Sequence, residues 1–153
     1  MKNILFLIIF LFAAIAFSQE KGNPNNEKPV EFIMVQNPPV YKGCEGFKST
    51  SSKSICSNKK LTEHIDKNFD ASVSTNTKLQ AGNYEITVIF IVDKEGLVTN
   101  IETKGSDYTP FINEAIRLIN SVPQYSSPGM QREKVVNVRY TIPVQFTVEK
   151  YNH

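Results

Sequence analysis

The sequence predicts an α+β fold: a small antiparallel sheet, formed by a hairpin and a long C-terminal edge strand, packed on two helices. Three stretches carry that prediction. Val136, Val138, Tyr140, Ile142, Val144, Phe146 and Val148 alternate with Asn137, Arg139, Thr141, Gln145 and Thr147, the period-2 pattern of a strand with one buried face. Tyr84, Ile86, Val88, Phe90 and Val92 alternate in the same way. Asp93 to Gly96 then makes a tight turn, and Leu97 to Thr103 returns as the second arm of a hairpin. Between hairpin and final strand, Phe111, Ile112, Ala115, Ile116, Leu118 and Ile119 recur at helical spacing.

The chain opens with Lys2 and fourteen apolar residues from Ile4 to Phe17, followed by Ser18 and Gln19. A basic start, an apolar stretch and small residues at Ala16 and Ser18 predict a signal peptide over residues 1–18, cleaved before Gln19. As a helix the apolar stretch spans about 21 Å against a hydrocarbon core of about 30 Å. An uncleaved inner-membrane anchor is the alternative. Export of the mature chain follows from cleavage. Residues 19–37 read as a linker. Its first part is Gly, Asn, Pro, Glu and Lys and has nothing to bury, and the apolar run Val30 to Val35 is a short strand ended by Pro38 and Pro39.

From Pro38 to His153 the chain reads as one domain. Cys44 and Cys56, the two cysteines of an exported chain, predict a disulfide across a serine-rich loop at residues 43–58. Ser57 is placed to cap a helix with Leu61, Ile65 and Phe69 on one face, and Asp70 to Leu79 reads as a loop. Thr109 caps the second helix with Pro110 at its first position, and Pro123 ends it. A turn-rich stretch, Gln124 to Glu133, leads to the last strand. Pro143 lies on the polar side of that strand, and a proline cannot donate to a ladder, so the strand is expected at a sheet edge. An edge is where another chain can add itself.

Charge narrows the function classes. Seventeen basic and fifteen acidic residues give a net charge of +2, which argues against nucleic acid as a partner. His64 with Cys44 and Cys56 matches no zinc spacing. No phosphate-binding loop and no nucleophile with its base is apparent, so the expectation is no enzyme, no cofactor, no metal and no small-molecule substrate.

The ordered landmarks resemble one family. They are Pro39-Val40-Tyr41-Lys42-Gly43-Cys44-Glu45, His64-Ile65 with Asn68-Phe69, and Val92-Asp93-Lys94-Glu95-Gly96-Leu97-Val98. Glu114-Ala115-Ile116-Arg117, Val122-Pro123, Pro128-Gly129 and Tyr140-Thr141-Ile142-Pro143-Val144 complete the set. Over roughly Pro39 to Val148 the chain resembles the C-terminal domain of TonB, the periplasmic protein that carries inner-membrane energy to outer-membrane receptors. The resemblance implies a last strand that receives an extended receptor segment, and a role linked to transmembrane transport. Full family members also carry an uncleaved membrane helix and a long Pro-rich spacer, which are not read in this sequence. Asp70-Ala71 stands where the family has Tyr-Pro, and Tyr125 where it has Trp.

The expected binding edge is Asn137, Arg139, Tyr140, Thr141, Ile142 and Gln145, with a peptide segment of an outer-membrane TonB-dependent receptor as partner. A homodimer through the same edge is a second association it allows. A soluble envelope scaffold that keeps the fold without energy transduction is the alternative function. A third arrangement has Val30 to Val35 pairing with the last strand and filling the groove from within the chain.

Overall fold

The computed structural model describes residues 27–75 and 77–149, so the leader expected over residues 1–18 lies outside the described residues. The expected α+β architecture is present. A four-stranded sheet runs in the order β1 (Val30–Glu31), β6 (Val138–Val148), β2 (Gly82–Val92), β3 (Val98–Lys104). Helices α1 (Thr50–Asn68) and α3 (Thr109–Asn120) supply most of the helical cover, with a one-turn α2 (Ser72–Thr75) between α1 and β2. A separate two-stranded hairpin, β4 (Gly129–Gln131) with β5 (Lys134–Val136), precedes β6.

Strands β2 and β6 pair antiparallel without interruption, from Gly82 opposite Val148 to Val92 opposite Val138. Their even-numbered residues turn inward. Ile86, Val88, Phe90, Val138, Tyr140, Val144 and Phe146 are buried there with Phe111, Ala115, Leu118 and Ile119 of α3. Phe111 stacks on Phe146 at 4.3 Å between ring centroids, and Phe90 on Tyr140 at 5.0 Å. Burial of each such ring stabilises the domain by roughly 2–3 kcal/mol.

The hairpin turn is fixed by chemistry visible in the sequence. Asp93 Oδ1 accepts from the Glu95 and Leu97 amides, and the Gly96 amide donates to the Asp93 carbonyl. Gly96 has a φ of +82°, and a Cβ there would sit 2.7 Å from the Tyr125 carbonyl. Only glycine meets both conditions without strain.

Several local expectations are corrected. Helix α1 begins at Thr50, not after Ser57. Ser49 is its N-cap, accepting from the Ser52 amide, and Ser57 instead accepts from the Tyr41 amide inside the core. The disulfide Cys44–Cys56 is present, but it anchors a helix rather than closing a loop. Residues 50–57 show no apolar stripe because the bridge and the Ser57 hydroxyl, not a row of hydrophobic side chains, tie them down. The stretch read as loop 70–79 contains α2. Tyr108, not Thr109, is the N-cap of α3, and it caps without a side-chain bond. Val136 belongs to β5, because Arg132 and Glu133, with φ of +47° and +63°, reverse the chain one turn before β6 starts.

The run Val30 to Val35 is strand for two residues only. It then turns through Phe32–Met34, with the Met34 and Val35 amides donating to the Glu31 carbonyl. It pairs parallel to β6, making the sheet mixed rather than purely antiparallel.

Candidate functional site

Strand β6 is an edge for most of its length but not all of it. Val30 lies opposite Val138 and Glu31 opposite Arg139. The Val30 amide donates to the Asn137 carbonyl at 2.8 Å, and the Phe32 amide to the Arg139 carbonyl at 2.9 Å. Both acceptors are odd-numbered. In an antiparallel strand the backbone groups alternate between the two sides, so the odd residues of β6 face away from β2 and the even ones face it. Past Arg139, the outward backbone groups of Thr141, Pro143, Gln145 and Thr147 have no backbone partner among the described residues.

This alternation explains Pro143. Opposite Thr87 in the register, it occupies a position whose missing N–H costs the β2 ladder nothing. What it removes is one donor from the open edge, leaving donors at Thr141, Gln145 and Thr147 and acceptors at all four residues.

Beside the edge runs a groove walled by α1. Leu61, Thr62, Ile65, Asp66 and Phe69 face Ile142, Pro143, Val144 and Gln145 across about 530 Å³. It continues toward β1 past Asn58, Tyr140 and Phe32, and toward α2 past Ser74, Thr75 and Thr147. A strand laid against Thr141–Val148 would turn alternate side chains toward Leu61, Ile65 and Phe69 and the others to solvent.

The predicted edge residues divide into three groups. Asn137, in the link between β5 and β6, and Arg139 have their carbonyls occupied by β1, and the Arg139 guanidinium lies 3.9 Å from Glu31 in an exposed ion pair. Tyr140 and Ile142 point to the helix side. Tyr140 is 3% exposed, and burial pushes its phenol pKa far up, so it serves as a neutral aromatic platform between Phe90 and Phe32. Thr141 and Gln145 are exposed on the open edge. Sequence reasoning missed the α1 wall, Leu61, Ile65 and Phe69, as part of the site. Their i, i+4, i+8 spacing was the available signal, read as core.

The far end of the groove is held by a clamp absent from the sequence reading. Glu114, 4% exposed on α3, accepts from the Asp70 amide at 2.8 Å and takes two bonds from Arg117 at 2.7 Å each. Arg117 also donates to the Asn68 carbonyl, and the Glu114 contact raises its pKa further. The C-terminal end of α1, where Phe69 packs 5.5 Å from Phe146, is thereby fixed to α3. His64 makes a second tie, its Nε2 2.9 Å from Ser121 Oγ. Ser121 Oγ donates to the Leu118 carbonyl, so His64 Nε2 carries the proton of this bond.

Residues 81–148, from the start of β2 to the end of β6, match the family model of the Gram-negative bacterial TonB protein C-terminal domain. Over these residues the chain is similar to the TonB C-terminal domain family. The match takes in the hairpin, α3 and β6. It does not reach α1, the disulfide or β1, which lie before its first residue. No curated protein matches the chain. TonB C-terminal domains are periplasmic protein-interaction domains. Among the described residues no helix is long and apolar enough to cross a membrane.

Proposed function

We propose that this domain binds an extended segment of an outer-membrane TonB-dependent receptor by adding it as a strand to β6, in the service of transport across the outer membrane. The observation that carries the reading is the backbone of Thr141, Pro143, Gln145 and Thr147, unpaired among the described residues, beside the apolar wall of Leu61, Ile65 and Phe69. TonB C-terminal domains in general interact with outer-membrane receptors. Each ladder bond is worth about 1 kcal/mol net, against an association cost of roughly 4–15 kcal/mol. Main-chain pairing alone therefore binds weakly, and side chains entering the groove supply the rest. On this reading residues 1–18 are a cleaved leader, residues 38–153 form the binding domain, and the exposed Thr141 and Gln145 read the outward side of the guest.

The test is amide hydrogen exchange on the mature protein with synthetic N-terminal segments of outer-membrane receptors. Slowed exchange at Thr141, Gln145 and Thr147, with α3 unchanged, is the expected result. Binding that leaves those three amides unprotected would place the contact elsewhere and remove strand addition.

A further inference from the structure

The N-terminal segment is fastened in two unequal parts. Residues 35–40 are held firmly. Val35 and Val40 are buried, and Asn37 exchanges backbone hydrogen bonds with Met130. The Gln36 amide donates to the Gln131 side chain, while the Gln36 side chain accepts from the Arg132 amide. Residues 30–34 are held lightly. A two-residue ladder with β6 is extended by the Val30 and Phe32 amides donating to the Asn137 and Arg139 carbonyls, the Glu31–Arg139 pair is exposed at 3.9 Å, and the Phe32 ring rests 4.6 Å from Tyr140. Ile33 and Met34 follow in a turn, 91% and 69% exposed.

From this asymmetry we infer that Val30–Phe32 is a displaceable plug, the chain's own occupant of the receiving edge. The inference rests on the strand-addition reading. The segment sits on the same side of β6 that a guest would use. While it is in place a guest is confined to Thr141–Val148 and abuts Phe32. Displaced, it frees the carbonyls of Asn137 and Arg139 and the upper face of Tyr140, and the exposed Ile33–Met34 turn can swing without uncovering buried side chains. The firm anchor at Val35 keeps the plug close, so it competes as an intramolecular ligand at an effective concentration in the millimolar range. A tenfold preference for the plugged state weakens a guest that needs the whole edge about tenfold.

The plug itself supplies the probe: a labelled, end-blocked peptide copying Lys28–Gln36, added in trans. Its affinity is measured for the mature chain and for the Val30→Pro/Phe32→Ala variant, which loses one ladder donor and the ring on Tyr140. Binding to the variant at least tenfold tighter than to the unaltered chain, with shifts at Arg139 and Thr141 by NMR, is the expected result. Equal affinity for both, or no binding to either at millimolar peptide, overturns the plug. If the double variant loses its cooperative unfolding transition, Phe32→Ala alone decides the matter, with an expected gain of about threefold. Receptor segments are read separately, at the amides of Gln145 and Thr147. A probe that behaves as expected while receptor segments leave those amides unprotected keeps the plug and removes the receptor.

Discussion

Gln145→Pro separates the receiving side of β6 from its structural side. The outward N–H of Gln145 has no partner among the described residues, whereas the N–H groups of Val144 and Phe146 face Ile86 and Tyr84 across the β2 ladder. Proline at 145 removes one donor that a guest needs and leaves the β2 ladder whole, as Pro143 already does two residues earlier. The residue before it, Val144, is extended and tolerates a following proline. Loss of one net hydrogen bond costs about 0.5–1.5 kcal/mol, so the dissociation constant of a bound segment should rise about three- to tenfold while the thermal midpoint stays nearly fixed. Val144→Pro is the control. It breaks a buried rung and removes contacts of a side chain that is 3% exposed, at a cost of about 3 kcal/mol or more, which lowers the midpoint by roughly 10 °C. Calorimetric titration and scanning calorimetry read the two effects. Equal destabilisation by both prolines would show that the alternation of backbone groups along β6 is misassigned, and unchanged binding in a folded Gln145→Pro would remove the edge as the contact.

Glu114→Ala leaves the Asp70 amide and the Arg117 guanidinium without their acceptor. Arg117 is half exposed and can turn to water, so the expected loss is about 2–3 kcal/mol, with Glu114→Gln costing about half as much; chemical denaturation measures both. Reducing Cys44–Cys56 should lower stability by about 2–4 kcal/mol and fray the first turns of α1, read as faster amide exchange from Ser52 to Cys56. The pKa of His64 is lowered, chiefly by desolvation. The folded state therefore binds that proton less readily than the unfolded chain, and stability present above about pH 6.5 is lost as pH falls toward the folded-state pKa; the slope should vanish in His64→Gln. Pro143→Val restores a donor to the open edge, and light scattering should then show concentration-dependent dimers that the unaltered chain does not form at the same concentration.

Much of the fold was legible because its periodicities are strong. Strand β2 and helix α3 each bury one face of a regular pattern, and Asp93 to Gly96 carries its own turn chemistry. The first half of α1 was not legible, since its buried anchors are a disulfide and the Ser57 hydroxyl rather than an apolar stripe. The β4–β5 turn was hidden for a different reason. Arg132 and Glu133 take left-handed conformations that asparagine or glycine would have signalled, and the Gln36 side chain receives the Arg132 amide from across the fold. The edge was read correctly from Pro143 onward. Its first rungs belong to β1, the pairing of Val30 to Val35 with the last strand that the sequence offered as a third arrangement, though only Val30 and Glu31 form strand. The apolar wall of the groove was visible as residues but not as a site, because only tertiary packing sets α1 beside β6.

The same features that leave β6 open for a guest also limit what can join it. A bare edge of eleven residues invites pairing with a second copy. Here β1 closes its first rungs, Pro143 removes a donor midway, and α1 walls the groove on the helix side. A partner strand therefore has to be narrow enough to lie beside α1, must tolerate an unanswered carbonyl opposite Pro143, and must carry side chains that reward entry into the groove. A second β6 has the wrong shape for this, since its inward face is already buried against α3 and its own edge is lined by α1. A flexible segment free of tertiary structure meets all three conditions. On the strand-addition reading, Pro143 and the geometry around the edge together favour an extended guest over self-association, and substitutions at Pro143 and Phe32 should alter partner choice more than they alter the stability of the sheet.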